Sequence, residues 1–310
     1  MSALAFTFLA LALVGPVPAV LARASWTIRA PRAAVVLWQS IALAALLSVL
    51  SAGPALALRM FSPGPDGRRT AGVAAQLAAL SWPTWLYAAL VFMVTVLIGI
   101  RLMIAVVQVG IGTRRRRAHH RMLVDLLGDR THELGRVRVL DVAAPLAYCL
   151  PGMRSRVVLS QGTLAVLTEP ELTAILRHEQ AHLRARHDLV LEAFTAVHTA
   201  FPRFVRSGSA LSAVRLLIEL LADDAAKRTT GARPLARALV ACACGPTPAG
   251  ALAAGGPSTV IRVRRMSGPP NSRLLSAAAY LTAAAVLVIP TITVAVPWLT
   301  ELHRLWSSGF

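Results

Sequence analysis

The segment His178-Glu179-Gln180-Ala181-His182 sets two imidazoles four residues apart with a carboxylate beside the first. On a helix such residues share a face, so both rings can reach one Zn2+ ion, and Glu179 stands where it can take a proton from an attacking water. Catalytic zinc needs a third protein ligand and an open position. A histidine six residues past His182 would supply one, but position 188 is Asp and His187 lies off the His178/His182 face. The better source is Leu216-Leu217-Ile218-Glu219-Leu220-Leu221-Ala222-Asp223-Asp224, where Glu219 is embedded in an apolar run and Asp223, one turn later, shares its face. Two carboxylates stacked on an apolar face repel each other and lose hydration unless positive charge accompanies them, and zinc with its histidines would supply it. Glu219 is therefore assigned as the third ligand, and Asp223 as the acceptor that orients a ligand histidine. Asp224 and Glu192 are fallback ligands. No spacing argument identifies the group that stabilises the oxyanion, for which Tyr148 and Arg228 are the candidates. His119 and His120 belong to a basic stretch, His132-Glu133 has Arg136 where a second ligand would stand, and His198 and His303 lack partners at ligand spacing.

The elements that must hold these residues can be read from local pattern. Thr168 with Glu171 makes a capping box, and Pro170 is tolerated in a first turn, so a helix starting there carries His178, Glu179 and His182 in its later turns. Further helices are expected over about 188–205 and 209–228. Residues 136–140 and 156–160 read as strands, with Leu150-Pro151-Gly152 as a turn between them. The Gly-, Pro- and Ala-rich stretch 245–272 is expected to be a loosely structured return to the membrane.

That membrane is implied by composition. Of 310 residues, 56% are hydrophobic and only 15% charged, with a mean hydropathy of +0.62, which excludes an ordinary water-soluble domain. Four stretches, roughly 1–22, 34–57, 83–107 and 274–298, are long enough to cross a hydrocarbon core. The expected organisation is 1–110 as a membrane region with three spans, 111–272 as a catalytic domain, and 273–310 as a fourth span with a short tail. The fold class is an α-helical multi-pass membrane protein with a mainly helical α+β, zincin-type domain between helices 3 and 4. The first stretch could be a cleaved signal peptide, but it has no basic residue before its apolar core and is followed by Arg23, Arg29 and Arg32, which favours a retained anchor.

The formal net charge is +18, almost wholly arginine, with Lys227 the only lysine. Arg114 to Arg117 and Arg121 follow the third span, and Arg262, Arg264, Arg265 and Arg273 precede the fourth. By the positive-inside bias this puts the catalytic segment in the cytoplasm of a plasma-membrane protein and turns most of the charge into topology and lipid contact. The arginines lack interleaved aromatics and any nucleic-acid-binding signature, so no direct nucleic-acid partner is expected. Three cysteines, without a disulfide or zinc-site framework, fit a reduced compartment.

With these residues in view, the sequence resembles the BlaR/MecR family of integral-membrane zinc metallopeptidases. The matching features are three spans before the catalytic segment, Tyr148-Cys149-Leu150-Pro151-Gly152, Val157-Val158-Leu159-Ser160, Thr168-Glu169-Pro170-Glu171-Leu172, His178 to His182, and Glu219 to Asp223 with Ala226 beyond. The resemblance implies a cytoplasmic zinc peptidase that cleaves a protein substrate, a winged-helix transcriptional repressor, in response to a signal perceived outside. It also implies that the strand near Val157 is an edge to which an extended substrate adds. The β-lactam-responsive members carry a penicillin-binding sensor after the last span, whereas twelve residues follow Trp298 here and Lys227 has Asp224 rather than Ser three residues before it. A β-lactam sensor is therefore not expected within this sequence. The alternatives are a membrane quality-control protease similar in zinc motif to HtpX, and a non-catalytic receptor or scaffold with structural zinc. Homo-oligomerisation is left open.

Overall fold

The computed structural model describes residues 8, 11–60, 81–130, 137–152, 155–202, 207–243 and 257–307. Much of the first expected span, the loop 61–80 and the decoy His132-Glu133 therefore lie outside the described residues. Among the described residues, three helices are long and apolar enough to cross a membrane, over Pro31–Leu50, Trp85–Leu127 and Arg273–Ile292, and a shorter apolar helical stretch covers Leu11–Arg23. They belong to α1 (Pro16–Arg23), α2 (Pro31–Met60), α3 (Trp82–Leu127) and α10 (Arg273–Ser307). The long α2 is the inner member of the bundle, with Trp38 and Ala34 buried, whereas α3 exposes Trp85, Leu90, Phe92 and Leu97. An apolar exposed face of that kind is the face a helix offers to lipid.

At 46 residues, α3 is about 70 Å long, far more than a hydrocarbon core requires. Its polar end runs past the expected span to Leu127 and joins the sheet-bearing segment. There Val124 is buried with Tyr148, Leu150 and Val158, and Asp125 lies 3.4 Å from Arg138 and 3.3 Å from Arg156. Arg101 ties α3 to the same segment: its Nε donates to the Ala200 carbonyl at 2.5 Å, at the carbonyl-rich end of α6 (His187–Ala200), where a cation is favoured.

The mixed sheet comprises β1 (Asp129–Arg130), β2 (Val137–Leu140), β3 (Ala147–Leu150) and β4 (Arg156–Ser160), in the order β1-β2-β4-β3. Strand β4 pairs parallel with β2 and antiparallel with β3. Its apolar run Val157-Val158-Leu159 suits a strand covered on both faces: Val157 and Leu159 enter one core cluster and Val158 another. The Val157 strand is thus internal, not the expected edge, and β3 is an edge of the sheet. Strand order is a tertiary property that the apolar run could not reveal.

Short α4 (Gln161–Val166) follows, then α5 (Glu169–Ala185), α6, α7 (Ser207–Thr230), α8 (Ala232–Ala243) and α9 (Pro257–Met266). The capping box forms as read, with the Thr168 amide donating to Glu171 Oε2 at 2.9 Å. Helix α7 belongs to two cores. Val214, Leu217 and Ile218 are buried with Trp38 and Ile41 of α2, whereas Ala226 joins Ile175 of α5, Leu235 and Leu239 of α8 and Leu159 of β4. The expected boundary at residue 111 therefore does not coincide with a break in packing. The return segment also differs from expectation, because Pro257–Met266 is a helix; residues 244–256 lie outside the described residues.

Space requires glycine at position 162. A Cβ on Gly162 would stand 2.0 Å from the Ala143 carbonyl oxygen, and the Gly162 amide donates to the Val142 carbonyl at 3.0 Å. Gly162→Ala is expected to destabilise the fold by about 3 kcal/mol through overpacking, measurable as a lowered thermal midpoint of the full chain in detergent.

Candidate metal centre

Two helices bring the site together. His178, Glu179 and His182 lie in the later turns of α5, and Glu219 and Asp223 lie one turn apart on α7; all five are buried. The facing sides of α5 and α7 carry small residues at Ala174, Ala181, Ala222 and Ala226, which permits close approach of the two backbones.

The nitrogen and oxygen atoms of His178, His182 and Glu219 converge within 4.8 Å of one another. The two Nε2 atoms are 3.2 Å apart, and Glu219 oxygens lie 3.4 Å from His178 Nε2 and 3.6 Å from His182 Nε2. Ligands at zinc-bond lengths around a tetrahedral ion stand about 3.4 Å from one another, so the donor set fits zinc in chemistry and spacing. Each imidazole turns its other nitrogen to a partner. His178 Nδ1 lies 3.0 Å from Asp223 Oδ1, and His182 Nδ1 lies 3.1 Å from His187 Nδ1. Such partners fix ring orientation and tautomer. His187, off the ligand face as the sequence indicates, is therefore a positioning residue for His182, a role that spacing alone did not disclose.

Arg262 is the larger surprise. Expected among the arginines that set topology, it is 0% exposed. Its Nε and Nη2 donate to the two oxygens of Asp223 at 2.8 and 2.7 Å, and Nη1 stands 3.0 Å from Glu219 Oε2. Nη2 is 3.4 Å from His178 Nε2. Three residues on, Arg265 grips Asp224 through two contacts of 2.8 Å and donates to the Ile28 carbonyl at 2.7 Å. Asp224 is thereby occupied elsewhere and is no ligand. Glu192 likewise pairs with Arg117 at 2.6 Å.

The charges are strongly coupled. Burial would depress His178, but the Asp223 and Glu219 carboxylates outweigh it and push the imidazole up to about 9. Burial pulls His182 and His187 down to about 4. Burial would raise Glu219 and Asp223; instead the facing histidines and Arg262 hold both down to about 2. Burial raises Glu179 above the usual carboxylate range.

A cavity of about 750 Å³ opens over the centre, lined by His178, Glu179, His182 and Glu219 from within. Tyr148, Cys149 and Leu150 of the edge strand β3, with Pro151 just after it, form another part of its wall. Tyr148, one of the two oxyanion candidates, shares a hydrogen bond of 2.8 Å with His120 Nε2, so His120 does more than extend a basic stretch. Arg228, the other candidate, is exposed and lines no part of this cavity.

Residues 128–269 match the profile of peptidase family M48. No curated protein matches the chain. Among solved structures, the crystal structure of S. mikatae Ste24p is similar at 15% identity with a TM-score of 0.31, over 74% of this chain and 66% of that one. The chain thus spans just under two thirds of that protein's length. The His178, His182 and Glu219 set, with Glu179 beside it, is the HExxH-type zinc triad typical of M48 zincins. The profile match does not single out the BlaR/MecR group.

Two measurements test the assignment. Glu219→Ala is expected to lower bound zinc from about one per chain to near zero, read by elemental analysis of the purified protein. Arg262→Met, which strands two buried carboxylates, is expected to cost about 3 to 5 kcal/mol of stability in the presence of a chelator, with added zinc narrowing the gap in thermal unfolding.

Proposed function

We propose that the chain is a membrane-embedded, zinc-dependent endopeptidase whose catalytic face lies in the cytoplasm of a plasma-membrane protein. The observation that carries the reading is the convergence of His178, His182 and Glu219, with Glu179 and an open cavity beside them. Arg114, Arg115 and Arg116, just past the apolar part of α3, support the cytoplasmic side.

His178, His182 and Glu219 would hold the metal, with Asp223 and His187 fixing the two rings. When bound, zinc supplies the Lewis acidity that makes a water nucleophilic near neutral pH and polarises the scissile carbonyl. Glu179 takes the proton from the attacking water and delivers it to the leaving amine. An extended substrate segment adds to the edge strand β3, with main-chain hydrogen bonds supplying affinity and the cavity supplying side-chain pockets.

As to substrate, the match to family M48 favours a general membrane protease of the quality-control kind over one dedicated to a transcriptional repressor. A purely structural zinc would leave no reason for Glu179 to line an open cavity beside the ligands.

Glu179→Gln is expected to keep its zinc and lose at least about a hundredfold in peptide-bond cleavage. Comparison of new protein amino termini in cells expressing the active chain and the Glu179→Gln form reads out the substrates. Many unfolded membrane clients are expected; one shortened winged-helix repressor would restore the signalling reading, and equal cleavage by both forms would overturn the assigned chemistry.

A further inference from the structure

The cavity over the metal centre has a charge pattern that zinc chemistry does not account for. Arg115 and Arg116 of α3 and Arg215 of α7 all line it and are exposed there. Arg117 is already engaged, 3.1 Å from Asp188 and 2.6 Å from Glu192. Among the described residues no carboxylate pairs with the other three arginines. Among the described residues, the only further acids lining the cavity are Glu179 and Glu219, which belong to the centre.

Arg215 stands one helical turn before Glu219, about 6 Å along α7, so its charge flanks the position where a peptide bond would be cut. Arg115 and Arg116 lie little more than a turn before His120, whose ring contacts Tyr148 at the cavity wall. Guanidinium groups offer planar forks that match a carboxylate with two parallel hydrogen bonds, and unpaired like charges in a concave, partly apolar cleft concentrate anionic ligands. Lipid headgroups could meet exposed arginines on a span helix, but Arg215 sits on a ligand-bearing helix within the same cavity. Its placement favours a peptide.

We infer that the cleft selects protein segments carrying Asp or Glu side chains beside the scissile bond, with Arg215 and the Arg115/Arg116 pair as the specificity-determining residues. The inference rests on the endopeptidase reading. To test it, full-length zinc-loaded protein in nanodiscs of neutral or anionic phospholipid is incubated with a proteome-derived peptide library, and cut sites are mapped by mass spectrometry. Acidic residues are expected to be enriched within about three positions of the cut. A cut peptide should exceed its Asp→Asn or Glu→Gln counterpart about tenfold in kcat/KM. That ratio should fall toward one in Arg215→Gln and in the Arg115→Gln/Arg116→Gln double variant, and also at raised salt in the unaltered protein, which keeps the test independent of variant folding. Cleavage without acidic enrichment overturns the inference. So does enrichment unchanged in both arginine variants while they still bind zinc, or a rate loss that follows nanodisc charge rather than peptide charge. Zinc-loaded protein that cuts no library member overturns the endopeptidase reading and this inference with it.

Discussion

Two carboxylates one turn apart on α7, 8% and 1% exposed, govern the rest of the molecule. Neither can remain ionised in a dry interior without cations close by, since an unpaired buried charge costs several kcal/mol. The chain answers with three kinds of positive charge or donor. His178 and His182 come from α5, Arg262 comes from α9, and the metal would share Glu219 with the two histidines. Each imposes a packing requirement. Helix α5 must approach α7 closely, hence the alanines between them, and the segment after α8 must return so that a guanidinium reaches Asp223.

The arginines show how misleading a single account of charge can be in a membrane protein. Arg114 suits the headgroup region, whereas Arg115 and Arg116 line the cavity over the metal centre. Arg117 instead ties α3 to α6, Arg262 is a buried counterion, and Arg265 joins Asp224 to the backbone of the segment before α2. Charges of one type, adjacent in sequence and equally apt as topological signals, divide among orientation, fold and site.

The ligand set was legible because helical periodicity brings residues four apart onto one face, so His178, His182, Glu219 and Asp223 could be read from short windows. The capping box at Thr168 was legible for the same local reason. Arg262 was not, because its partners are 39 and 84 residues away in sequence and its neighbours Arg264 and Arg265 made it look like part of a basic flank. His187 escaped because it touches a ligand rather than the metal position. The internal place of β4 escaped because an apolar run specifies two covered faces without naming the neighbouring strands. The placement of α9 lay beyond a composition that reads as linker.

Helix α7 has a consequence for what counts as a unit in this protein. Its first half seats against Trp38 and Ile41 in the bundle, and its second half carries Glu219 and Asp223. Cutting the chain at the point where hydropathy changes would leave Val214, Leu217 and Ile218 facing water and remove the wall that holds the helix at its height. The metal centre is therefore not a passenger tethered to an anchor. Anchor and machine share one rigid part, so neither can be transplanted, tilted or trimmed without the other registering it.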